Sequence, residues 1–71
     1  MPETIYVPLL DEGTDVWRPV EATRLAENVY IILGAVPDDE TWAFPPGSRV
    51  RCEPRRVHGE VDRLVAMARA N

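Results

Sequence analysis

Cys52 and His58 are the only thiol and the only imidazole in this chain, close enough in sequence to raise the question of a nucleophile–base pair. Nucleophilic catalysis needs an exposed thiolate held beside its base and next to an oxyanion site. Cys52 instead shares its period-two parity with Val50, while Arg49, Arg51 and Glu53 take the other side, so it reads as a core residue. His58, beside Gly59, reads as a solvated turn residue. Asp11, Glu12 and Asp15 invite a calcium reading, but the loop lacks oxygen ligands at alternate positions and a distant bidentate acid. Asp38, Asp39 and Glu40 are contiguous, so their side chains diverge. No glycine-rich phosphate loop is present, and no acid–base pair stands out among twelve scattered acids. The residues name no catalytic group, cofactor or metal site, and the chain reads as non-enzymatic.

Binding chemistry is better represented. Arg49, Arg51, Arg55 and Arg56 form one dense basic cluster, and arginines near aromatics are how small barrels hold nucleic acid. A net charge of −4, the absence of lysine and Glu53 inside the cluster weigh against that use. A solvated strand face, salt-bridged to the acidic half of the chain, is the favoured reading; a protein partner comes next and nucleic acid last. The aromatics are Tyr6, Trp17, Tyr30, Trp42 and Phe44, with prolines at 8, 19, 45 and 46. SH3-type ligand grooves combine aromatics and proline with acidic loops. A core this small should bury at least three of the five. Trp17 and Trp42 are expected to stay partly exposed as interface anchors. The candidate interaction surface is therefore Trp17, Trp42, Arg49, Arg51, Arg55 and Arg56.

The elements that must position these residues read as strands and turns. Turn clusters fall at 11–15, 37–40, 45–48 and 58–60, with runs rich in Val, Ile, Leu, Tyr, Trp and Thr between most of them. Thr4–Val7 starts a strand that Pro8 confines to an edge or ends. Val16–Ala22 is extended, with a bulge or twist expected near Pro19 to accommodate Trp17. Residues 21–27 have helix propensity but span barely two turns, so they should finish the second strand and enter a turn at Glu27-Asn28. Val29–Leu33 is apolar on both faces and should be central. Thr41–Phe44 reads as a short strand closed by Pro45-Pro46-Gly47, where Pro46-Gly47 suits the middle of a type II turn. Ser48–Glu53 alternates strictly. At the C-terminus, Val61, Leu64, Val65 and Ala68 have helical spacing, whereas Leu64, Ala66 and Ala68 form one side of a strand pairing with 49–53. The strand is favoured because it covers a barrel edge; a short helix is the alternative. Five or six short antiparallel strands in one domain, 1–71, make a mainly β, small SH3-like barrel.

Seventy-one residues allow one small core, and self-association is an open route to added stability. A single cysteine excludes an internal disulfide and suits a reducing cytoplasm. The apolar stretch Ile5–Leu10 is too short for a signal-peptide core, and nothing approaches a membrane span. Residues 1–40 hold nine acids and two arginines, residues 41–71 six arginines and three acids. In a compact barrel the halves are expected to interleave and this polarity to average out.

The runs Trp17-Arg18-Pro19-Val20 and Pro46-Gly47…Val50…Cys52-Glu53, with Leu64-Val65-Ala66 after them, resemble a group of small uncharacterised bacterial proteins. The resemblance covers most of the chain. It implies bacterial cytoplasmic origin and a stand-alone β fold, and carries no catalytic residue with it. The expected function is a protein-interaction module acting through a protein partner or self-association. An acidic inhibitor or immunity-type protein, whose acidic loops neutralise a basic enzyme, is the alternative, and nucleic-acid binding ranks below both.

Overall fold

The computed structural model describes residues 2–10, 16–57 and 61–70. The acidic loop at 11–15 and the His58-Gly59-Glu60 turn lie outside the described residues. Five strands follow one another as β1 (Glu3–Pro8), β2 (Trp17–Ala26), β3 (Val29–Ile32), β4 (Arg49–Val57) and β5 (Val61–Arg69), and they close into a barrel in chain order. The chain is mainly β, with the architecture of a small SH3-like barrel, and no helix occurs among the described residues. The C-terminal segment is a strand. Four of the five seams are antiparallel; the seam joining β1 to β5, at Tyr6 and Val65, is parallel. An up-and-down meander with an odd number of strands leaves its first and last strands pointing the same way, so this seam must be.

Side-chain alternation fills the interior. Ile5 and Val7 come from β1, Val20 and Ala22 from β2, Tyr30 and Ile32 from β3, Val50 and Cys52 from β4, and Ala66 from β5. All are buried. β3 is the central strand of the β2–β3–β4 segment, although it ends one residue before Leu33.

No irregularity occurs at Pro19, where the β1–β2 register runs unbroken from Glu3–Ala22 to Pro8–Trp17. The reason is the hydrogen-bond phase. Leu9 N–H donates to Val16 O at 2.9 Å. Alternation from that bond makes Val7–Arg18 and Ile5–Val20 the bonded pairs and turns the nitrogens of Pro8 and Pro19 away from the seam. Cys52 N–H donates to Asn28 O at 2.8 Å. Pro54, two residues on, therefore faces the same side but beyond the end of β3. On the β1–β2 seam, and at Pro54 beyond the end of β3, no ladder bond is asked of a proline nitrogen.

The bulges lie elsewhere, at Leu25 in β2 and at Met67 in β5, each the extra residue between paired neighbours. The second bulge corrects the expected C-terminal alternation. Leu64 and Ala66 share the inner side, but Met67 shifts the phase and Ala68 is exposed. The β2–β3 turn falls at Glu27-Asn28 as expected, and Arg24 closes it by donating to the carbonyls of Ala26 at 3.2 Å and Glu27 at 3.1 Å.

Between β3 and β4 the chain crosses the barrel end without a regular strand. Thr41–Phe44 is not a strand; its pairing is the single bridge between Trp42 and Leu9. The segment is tied by Leu10 N–H to Thr41 O at 2.7 Å and Ala43 N–H to Pro8 O at 2.9 Å. It returns through a turn in which Ser48 N–H donates to Pro45 O at 3.1 Å and Gly47 has φ +87°, the left-handed position a type II turn needs at its third residue.

Candidate functional site

Strand β2 runs past the end of β3. Leu33 N–H donates to Glu21 O at 2.9 Å, and N-terminal to Glu21 the β3-facing side of β2 borders the 33–42 segment. An open groove of about 320 Å³ forms there, lined by Pro19, Val20, Leu33, Ala35, Pro37 and Trp42, with Arg18 and Glu21 adding charge. Most of that lining is apolar.

One carboxylate organises the groove. Arg18 has the inward parity of Val20 but lies at the barrel end, where its guanidinium forms a two-pronged ion pair with Glu40 through Nε (3.0 Å to Oε1) and Nη2 (to Oε2). The Trp42 indole Nε1 donates to the same Oε1 at 3.0 Å. The Glu40 side chain is only 8% exposed, whereas Arg18 is 46% exposed. A buried charge needs a partner and a buried indole N–H needs an acceptor, and Glu40 meets both demands. The turn that delivers it is closed by Glu40 N–H donating to Pro37 O at 3.1 Å, leaving Asp38 and Asp39 exposed beside the groove.

The expected interaction residues do not form one surface. Trp42 is 8% exposed and belongs to the core cluster, which corrects its placement as a partly exposed anchor. Its bridge to Leu9 and bond to Glu40 draw the ring in over the barrel end. Trp17 faces outward on β2, half-buried opposite Pro8. Of the five aromatics, Tyr30 and Trp42 are buried and Phe44 packs partly buried against the core.

Arg49, Arg51, Arg55 and Arg56 are all exposed, but alternation puts the first three on the outer side of β4 and Arg56 on the other. Arg55 meets Glu53 at 3.5 Å and Arg56 meets Asp62 at 3.9 Å. Both acids belong to the C-terminal half, so these ion pairs are local rather than made with the acidic half. Arg55 also lies directly across from Arg63. β4 and β5 are neighbours, so their six arginines lie on adjoining strands with Glu53 and Asp62 among them. Pro54 and these charges also guard the β4 edge that extends beyond β3.

Cys52 is 1% exposed, and burial pushes its thiol up from 9.0 to about 11. A thiol in that state is a packing group. Burial, with a contribution from the Glu3 carboxylate, also raises the Tyr30 phenol. His58 lies outside the described residues. Among the described residues no group of three or more His, Cys, Asp or Glu side chains converges on a metal position, and no helix is long and apolar enough to cross a membrane.

Sequence reasoning missed Glu40 and Arg18. The available signal was Trp42 itself, since a buried tryptophan calls for an acceptor, and Glu40 lies two residues away. Compared with protein-family models, curated proteins and solved structures, the chain matches none of them.

Proposed function

We propose that this chain is a non-enzymatic protein-interaction module of the bacterial cytoplasm, and that the groove between β2 and the 33–42 segment receives an extended segment of a protein partner. The observation that carries this reading is the groove's composition: an apolar lining of prolines, aliphatics and the Trp42 ring, with the exposed Glu21 in the lining, Arg18 paired to Glu40, and the exposed Asp38 and Asp39 next to Pro37 in the chain. Apolar grooves of aromatics and proline beside acidic groups suit a ligand that joins a proline or aliphatic residue to arginine or lysine. The exposed acids also support the second reading, an inhibitor that covers a basic enzyme surface. Nucleic acid ranks below both, because the arginine-bearing strands β4 and β5 contain no aromatic residue on which bases could stack.

Titration with short peptides that pair proline with arginine tests the reading by backbone NMR. Shifts should concentrate at residues 18–21, 33–37 and 42. They should be lost in Ala35→Trp, which fills the groove from an exposed position. A response centred on Arg49–Arg56, or none with any peptide of this class, would overturn it.

A further inference from the structure

β3 stops at Ile32, and Gly34, at φ +91°, turns the chain away from β2. β2 itself continues N-terminally through Glu21 to Trp17 without a β3 partner. The groove lies along this stretch, in the strip that a longer β3 would fill.

The backbone bordering that strip carries two unmet groups. Val20 bonds to β1, so alternation turns the backbone groups of residues 19 and 21 toward the β3 side. The Glu21 carbonyl accepts from Leu33 N–H, but the Glu21 N–H meets no acceptor among the described residues. The Pro19 carbonyl meets no donor among them, and Pro19 has no N–H of its own. Between Pro19 and Glu21 the strand therefore presents one acceptor and one donor, on either side of Val20. A strand edge with open groups is a template for another strand.

Their spacing suits one residue of a parallel strand. In a parallel ladder a residue donates to the carbonyl before its neighbour and accepts from the N–H after it. A residue opposite Val20 would donate to Pro19 C=O and accept from Glu21 N–H, and the donor that Pro19 lacks is never needed. An antiparallel segment would ask Pro19 for that missing N–H, and Glu21 for a carbonyl already bonded to Leu33.

We infer that the partner's segment docks as an added strand parallel to β2, its central residue opposite Val20. Docking of this kind presupposes that the groove receives a partner segment, as proposed above, and adds its mode and direction. The register then sets the side-chain chemistry. The central side chain shares the side of Val20, which lines the groove together with the Trp42 ring, and is aliphatic. The residues before and after it stand on the outer side, beside Pro19 and the exposed Glu21 respectively. Their N–H groups point away from β2, so proline is admitted before the central residue. Arginine or lysine after it meets the Glu21 carboxylate. Proline is excluded at the centre, where the N–H is the donor. From N- to C-terminus the segment reads proline, aliphatic, basic; the reverse order sets the base against Pro19 and leaves Glu21 unmatched.

The test uses the full chain and the peptide Gly-Pro-Val-Arg-Gly, blocked at both ends, followed by calorimetric titration and backbone NMR. Binding should move the Glu21 amide proton downfield and slow its exchange, because it gains an acceptor. Replacing the valine N–H by an ester oxygen removes the one ligand donor and should weaken binding about tenfold. The same replacement at arginine, whose N–H points away from β2, should leave affinity within about twofold. The reversed peptide, Gly-Arg-Val-Pro-Gly, should bind about tenfold more weakly, and Glu21→Gln should reduce the preference for arginine over citrulline. Indifference to the valine ester overturns the inference, as does equal binding of the reversed peptide or a Glu21 amide that exchanges as fast in the complex as alone. With the parent peptide still seated in the groove, each of those results leaves the groove's role standing. No binding by the parent peptide overturns the inference as well, and no binding by any proline–arginine peptide removes the groove's role with it.

Discussion

β4 and the segment that precedes it hold their inward-facing residues by different means. In β4, strand alternation alone buries Val50 and Cys52 and exposes Arg49 and Arg51, with ladder bonds on both sides. In residues 33–48 no such repeat operates. Trp42 reaches the core through one bridge, two backbone bonds across the barrel end and the Glu40 carboxylate. A side chain on a strand inherits its direction from the backbone, whereas one on a connecting segment depends on a few separate contacts. The second kind is easier to break.

The largest expected effect follows. Trp42→Ala removes the ring that covers the barrel end and leaves Glu40 with Arg18 as its remaining partner. Truncating a buried tryptophan costs about 3–5 kcal/mol. A domain of this length has roughly 4–10 kcal/mol to lose. Chemical denaturation should find Trp42→Ala destabilised by about 3–5 kcal/mol, roughly a third or more of the total. A variant within about 1 kcal/mol of wild type would show that the ring is not an integral part of the core.

The strand side of the comparison is tested through pH. Cys52 ionises near 9.0 in the unfolded chain and near 11 in the fold. Between those values the unfolded state holds fewer protons, so stability declines as pH rises, by roughly 2–3 kcal/mol in all. The raised Tyr30 phenol acts in the same direction, so the thiol's share is read against Cys52→Ala. That variant should lose about 1 kcal/mol at neutral pH but fall less steeply above pH 9. Equal slopes for the two proteins in urea denaturation at pH 8 and pH 11 would remove the thiol as the cause.

The same contrast explains what could be read from the sequence. The strict alternation of 48–53 and the two-sided apolar run at 29–33 belong to period-two backbones, and both are strands, although β3 stops at Ile32 and β4 runs on to Val57. Pro46-Gly47 was legible because its turn needs a left-handed residue. The bulges at Leu25 and Met67 were not, since nothing in either residue type marks an extra position in a ladder. Neither was the Arg18–Glu40 pair, which joins residues far apart in sequence once the 33–42 segment has crossed the barrel end. Thr41–Phe44 misled because aromatic content favours a strand, while the structure needs only one residue of the four to pair.

Gly47 tests the connecting segment without touching the core. Its N–H donates to Ile32 O at 2.8 Å, which ties the turn to the end of β3. No atom lies within 4 Å of the place a Cβ would occupy, so substitution meets only the backbone cost of φ +87°. Gly47→Ala should lose about 1–2 kcal/mol by thermal denaturation, and Gly47→Asn less, because asparagine tolerates that region better. A neutral Gly47→Ala would mean that the turn adopts another conformation in solution.

The smallest effect expected is that of Glu40→Gln, and it separates the two bonds that Glu40 makes. Glutamine keeps a carbonyl oxygen for the Trp42 indole and the same length of side chain, so the ring should remain in place. The charge on Arg18 loses its counterpart. That guanidinium is 46% exposed, and water replaces much of what the carboxylate supplied. The loss should therefore be about 0.5–1 kcal/mol, shrinking as salt rises because added ions already screen the pair in the wild type. Denaturation midpoints of both proteins at low and high salt measure it, and the Trp42 indole N–H resonance reports whether the ring has moved. A salt-independent loss accompanied by a shifted indole signal would mean that the negative charge itself, rather than an acceptor oxygen, holds Trp42 over the barrel end.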